Sequence, residues 1–177
     1  MLARERTDFG KMKTSTSDHI LPDVLRSGLR LVFCGTAAGK RSAREGAYYA
    51  HPGNMFWRAL FQAGLTPRLL APQEFPLLPG FGIGLTDLAK RHLGNDNELP
   101  TDAFDVPGLL AKIETYMPNM LAFTSKHAAR AVLGAAVDYG LQHRAIGSTK
   151  IFVLPSPSGQ ARGHWNLAHW VSLAAHV

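Results

Sequence analysis

A single cysteine, Cys34, stands in a chain of 177 residues. One thiol makes no internal disulfide, no zinc knuckle and no four-cysteine iron–sulfur cluster. Long apolar runs are missing as well: no stretch reaches the roughly 18 consecutive apolar residues that a bilayer-spanning helix needs. The opening residues, MLARERTDFG, carry charges and lack the apolar centre of a secretory leader. Together these absences set the expectation of a protein of the reducing cytoplasm with no membrane association. Glycine (17) and proline (11) are too sparse and too aperiodic for a fibrous or low-complexity chain.

What is present is an ordinary globular composition, 46% hydrophobic and 18% charged. The net charge is +6, from 19 basic and 13 acidic residues, and the surplus is uneven. Residues 121–177 hold Lys126, Arg130, Arg144, Lys150 and Arg162 against Asp138 alone. A one-sided excess is what a phosphate-tracking surface requires, and it is also found on basic proteins with no such role. Residues 1–18 are polar and read as a disordered arm, whose Arg4, Arg6, Lys11 and Lys13 would add non-specific attraction to phosphates. Residues 19–177 read as one domain, with no internal repeat.

Short apolar runs alternate with helical patterns along that domain. RLVFC (30–34) reads as a strand ending at Gly35, and residues 54–64 as a helix capped by Asn54. GIGLTDLAK (82–90) reads as a short buried strand or turn. A helix follows from Pro107, then a strand at 119–124, a helix at 126–133, a strand at 150–154 and a final helix at 165–175. This β-α-β-α-β-α order predicts an α/β fold of three layers, a small parallel sheet between helices. Ligands of such sheets bind at the carboxyl ends of the strands. Two loops are placed there: Gly35–Ser42 after the first strand and Pro155–Gly163 after the last. GTAAGKRS is no phosphate loop, because three residues separate Gly35 from Gly39 where the motif needs four. Trp57, Phe56 and Phe61 at helical spacing read as core. His164 and His169 lie five apart, not the i,i+4 spacing of a helical metal pair, and no metal or cofactor is expected.

The run from Gly28 to Glu74, containing GTAAGKRS and YYAHPGNMFW, resembles the amino-terminal half of the mismatch-specific uracil/thymine-DNA glycosylases. IGSTKIFVLPSPSGQAR resembles their carboxyl-terminal motif, and GIGLTDL their central segment. The resemblance extends from about Ile20 to the end. It implies the uracil-DNA-glycosylase fold and a monomeric, monofunctional, cofactor-free enzyme of base-excision repair. Its partner would be uracil-containing DNA, its reaction hydrolysis of the N-glycosidic bond, and its product free uracil. An everted base requires a snug pocket, a stacking face and donors to the carbonyls. By this resemblance Tyr49 stacks on the base, and Gly35, Thr36, Ala37 and Gly39 wall the pyrimidine. Ser42 lines the pocket near the base edge. Asn54 is a structural tie as much as a contact, and Ser156 stands where the last motif has an Asn. Ser158 and Gly159 grip the DNA backbone, Gln160 is the wedge, and Arg162 touches phosphate or the opposite strand. Lys126 is a phosphate contact or a solvated surface lysine.

The departure from the family pattern falls on the residue that holds the attacking water, an Asn replaced here by Ala37. Its neighbouring Pro is Ala38, and by this resemblance Ala37 and Ala38 together would enlarge the pocket and open it to other bases such as hypoxanthine. Alanine neither orients nor deprotonates water. Three readings follow: another carboxylate takes over, electrostatics and substrate distortion carry the reaction, or the protein binds uracil or abasic DNA without cleaving it. Asp87 is the candidate carboxylate, alone between Glu74 and Asp96 at an expected strand end. A helix-capping or turn role for Asp87 is the competing reading. His51, before Pro52 in an aromatic-rich turn, reads as a structural hydrogen-bond donor rather than a base.

Overall fold

The computed structural model describes residues 18–134 and 136–177. The arm expected over residues 1–18 lies outside the described residues, Asp18 excepted. Five strands form one sheet: β1 (Leu31–Ala38), β2 (Ile83–Leu93), β3 (Met120–Phe123), β4 (Gly140–Ile146) and β5 (Thr149–Val153). Their order is β2-β1-β3-β5-β4. The first four are parallel, and β4 runs antiparallel on the edge beside β5.

Alternation along each strand divides the core in two. Leu31 and Phe33 of β1, with Met120 and Ala122 of β3, face helices α2 (Phe56–Gln62) and α5 (Leu167–Ala174). Val32, Cys34, Leu121 and Phe123 face α3 (Val106–Tyr116) and α4 (Lys126–Leu133). The result is the expected three-layer α/β architecture. Helix starts follow the capping chemistry of the sequence: Asp105 accepts from Gly108 N at 2.9 Å, Ser125 from Ala128 N at 3.0 Å and Asn166 from Ala168 N at 2.9 Å.

Several expectations change. β1 runs on through Gly35–Ala38, and α1 (Lys40–Glu45) starts immediately after Gly39, so Gly35–Ser42 is not a loop. GIGLTDLAK is neither short nor a turn: β2 spans 11 residues. Asp87 therefore sits inside a strand, opposite Gly35, and caps no helix. β4 has no counterpart among the predicted elements. Phe61 is 46% exposed, while Phe56 and Trp57 are buried as expected. No helix among the described residues is long and apolar enough to cross a membrane.

Candidate active site

The extra length of β1 and β2 carries their carboxyl ends past β3, and the step between them opens a cleft of about 680 Å³. Twelve of the fourteen candidate residues line it: Gly35, Thr36, Ala37, Gly39, Ser42, Tyr49, Asn54, Asp87, Ser156, Ser158, Gly159 and Gln160. The two that do not are Lys126 and Arg162. The Lys126 ammonium lies 4.4 Å over the Tyr139 ring and 3.9 Å from Asp138. Arg162 leaves the turn of 3-10 helix at Gly159–His164, and its guanidinium approaches Gly53 on the rim.

The two walls touch. Met55 N donates to Pro157 O at 2.8 Å, and a Cβ on Gly159 would meet Gly53 O at 3.2 Å. The HPGN turn is held from within: Gly53 N donates to His51 Nδ1, Asn54 N to His51 O, and Phe56 N to Asn54 Oδ1, each at 2.9 Å. His51 is thus structural, as an acceptor rather than the expected donor. Asn54 Oδ1 ties the turn to the first residue of α2. On the other wall, Ser156 Oγ accepts from Ser158 N at 3.2 Å and Ser158 Oγ from Gln160 N at 3.3 Å, which sets the start of the turn.

Gly46 closes α1 in the left-handed conformation that glycine takes freely, and the chain doubles back as AYYA. Ser42 Oγ accepts from Ala50 N at 3.0 Å, so its hydroxyl fixes this turn besides lining the cleft. Tyr49 has φ 52, a strained value for an aromatic residue. The strain is held by stacking: the ring lies parallel to Phe56, centroids 4.0 Å apart and 18° between planes. Its hydroxyl reaches Thr124 Oγ1 at 3.5 Å. Burial and the nearby Asp87 charge push the Tyr49 phenol far above its ordinary pKa, so it remains a neutral donor.

Asp87 points from β2 to the backbone of Gly35. A Cβ on Gly35 would lie 2.7 Å from Asp87 Oδ1, 3.3 Å from the Tyr49 hydroxyl and 3.5 Å from Thr124 Oγ1. Only glycine lets carboxylate, phenol and threonine converge there. Asp87 is 5% exposed, and what it exposes is on the cleft. Burial pushes its carboxyl up to about 6; Lys90 opposes that shift, Asp23 adds to it and Lys112 opposes it.

Some cleft residues carried no signal in the sequence. Thr124 and Ser125 arrive there only because β3 lies beside β1. Lys40 and Arg41, expected in a loop after the first strand but not singled out there, begin α1 and stand on the rim. Asn95, Asp96 and Asn97 come from the segment after β2, tied to β1 by Thr36 Oγ1–Asp96 Oδ1 at 2.6 Å and to α1 by Lys40 Nζ–Glu98 Oε1 at 2.8 Å.

The cleft thus lies between a Gly-containing strand end, an aromatic His-Pro turn and a Ser-Pro-Ser-Gly turn, at the edge of one sheet flanked by helices on both faces. The chain belongs to the uracil DNA glycosylase superfamily, whose family model matches residues 22–174. The fold is also similar to the solution NMR structure of a candidate uracil DNA glycosylase from Methanosarcina acetivorans. That match has 23% identity and a TM-score of 0.61, over 88% of this chain and 95% of the other.

Proposed function

We propose that this protein is a monofunctional DNA glycosylase that hydrolyses the N-glycosidic bond of uracil flipped out of DNA. The HPGNMFW and PSPSG runs support placing it beside the mismatch-specific group. The observation that carries the reading is the joined cleft, in which a buried carboxylate and a stacked aromatic ring face one space. Breaking the C1′–N1 bond leaves its electron pair on the base and positive charge on the sugar. Asp87, ionised at neutral pH, stabilises that charge and accepts a proton from the water that adds to C1′. Ala37 contributes space, not chemistry. Lys40, Arg41 and Arg162 stand where strand phosphates would pass. Uracil-bearing DNA is the partner, free uracil the product, and a cytoplasmic monomer with residues 19–177 as one domain the acting form.

The direct test incubates the protein with uracil-containing single strands, U·A duplexes and G·U duplexes, followed by alkali. Strand breaks are expected. Tight retention without breaks on every substrate would instead establish a non-cleaving binder of uracil or abasic DNA. The same assay on hypoxanthine-containing DNA reads how far the space beside Ala37 and Ala38 widens the substrate range.

Two further results are expected. Asp87 works in its charged form, so kcat should climb about tenfold per pH unit on the acid side, then level off above about 6. A profile flat through that range would remove Asp87 as the base. Tyr49→Ala removes a stacking face worth about 1–3 kcal/mol per base. Its kcat/KM on a uracil oligonucleotide should fall roughly ten- to a hundredfold. An unchanged value would mean that the base lies elsewhere in the cleft.

A further inference from the structure

Behind Asp87, away from the cleft, lies a charged cluster that the reaction as described does not use. Lys90 is 7% exposed. Its ammonium donates to the Tyr48 hydroxyl at 2.9 Å and pairs with Asp23 Oδ1 at 3.1 Å and with Asp87 Oδ2 at 3.9 Å. Asp23 also takes Lys112 Nζ from α3 at 2.7 Å and the Thr86 hydroxyl at 2.7 Å. Two carboxylates and two ammonium groups therefore neutralise one another under the sheet edge. A buried cation is costly unless it is paired and hydrogen-bonded. Here every partner is supplied, and they come from separate parts of the chain: the segment before β1, β2 itself, α3 and the turn after α1.

We propose that Lys90 is a positioning residue for Asp87. Its ammonium holds one carboxylate oxygen from behind, so that the other stays against Gly35 at the cleft. The inference rests on the glycosylase reading for its kinetic consequence, but not for the pairing itself. Lys90 is absent from the cleft lining, so it does not touch the base or the sugar. The groups that face Asp87 are few. Lys90 lies on its own strand, and Cys34 and Gly35 on β1. Thr124 follows β3, Tyr48 and Tyr49 belong to the turn after α1, and Asp23 and Lys112 stand behind. Of these, Cys34 and both tyrosines are held neutral by burial. Asp23 bears a charge that opposes ionisation of Asp87, and Lys112 is spent on Asp23. Lys90 is left as the nearby cation that favours the charged form.

The experiment compares the full chain with its Lys90→Met, Lys90→Arg and Lys112→Met variants. Two quantities are read: the ¹³C carboxyl titration of Asp87 by NMR, and the pH profile of kcat on a uracil-containing single strand. In Lys90→Met the Asp87 midpoint should move alkaline by about one pH unit or more, and the acid limb of kcat should move with it. KM for DNA should stay the same. Lys90→Arg should restore most of the shift, and Lys112→Met should cause a smaller one. An unmoved midpoint overturns the proposal, as does a kcat lowered equally at every pH. If Lys90→Met does not fold, Lys90→Gln removes the same charge while keeping a polar group beside the Tyr48 hydroxyl, and is read in the same way. Should the wild type cleave no uracil substrate, the glycosylase reading fails while the carboxyl titration still decides the pairing.

Discussion

Asp87→Asn should lower uracil excision by at least ~10²-fold, the scale of losing a positioned acid–base group, and should do so without loss of thermal stability. The second half of that expectation separates a working carboxylate from a structural one. The Asp87 carboxyl has its folded pKa raised from 3.8 to about 6, first by burial. The native state thus holds this proton more tightly than the unfolded chain does. Stability falls as pH rises through the window from about 4 to about 6, and above it the ionised group costs roughly 3 kcal/mol, at 1.36 kcal/mol per unit. Asparagine keeps the shape and removes the charge. Lys90 loses one partner but keeps Asp23 and the Tyr48 hydroxyl. Thermal unfolding at pH 8 should give a Tm equal to or above that of the wild type, and alkali-coupled strand cleavage should give the rate. Near-normal excision by the variant would move the mechanism to electrostatics and substrate distortion. A large fall in Tm alongside the lost rate would make Asp87 a structural ion-pair member.

This carboxylate shows how far the sequence could be read. Its solitude between Glu74 and Asp96 singled it out, but its setting was not legible. Asp and Lys are poor strand residues and rarely buried, so TDLAK looks like the end of a strand. β2 continues because the buried charges find partners far along the chain, Asp23 before β1 and Lys112 on α3, and no local pattern announces such pairing. Gly35–Ala38 misled in the same way. Small residues look like a turn, yet here Gly35 and Ala37 pair with Asp87 and Ala89, and at Gly35 the side chains of Asp87, Tyr49 and Thr124 leave no room for a Cβ. β4 escaped because GLQHRAI is an edge strand, largely exposed, with no hydrophobic alternation to reveal it. β3, β5, α4 and α5 were readable since each is a compact apolar run or an amphipathic stretch with its own cap. The candidate residues at the cleft come mostly from resemblance in two runs, GTAAGKRSAREGAYYAHPGNMFW and PSPSGQAR, and the fold joins those runs through Met55 and Pro157. Lys126 is suggested by its position after a strand alone, and its ammonium lies over the Tyr139 ring.

Gly35→Ala tests the convergence itself, and its effect on kcat should rival that of losing the carboxylate, about 10²-fold, since misplacing a catalytic group by ~1 Å costs that much. The backbone at Gly35 lies outside the left-handed region, so alanine meets no conformational penalty there; the obstacle is steric. The new methyl would sit 2.7 Å from Asp87 Oδ1, a distance that real Cβ atoms do not tolerate. Asp87 has a short side chain and is hemmed by Lys90 on its other oxygen, so it yields by turning from the cleft toward the ammonium. Tyr49 and Thr124, at 3.3 and 3.5 Å, are pressed less. Overpacking of this kind should cost about 1–3 kcal/mol of stability, seen as a lower urea midpoint. The decisive measurement is the double variant. If the methyl acts by displacing the carboxylate, adding Gly35→Ala to Asp87→Asn should lower kcat little further, because the group it displaces has already lost its chemistry. Two losses that multiply in full would show that Gly35 matters for another reason, such as the approach of the base to the β1 backbone.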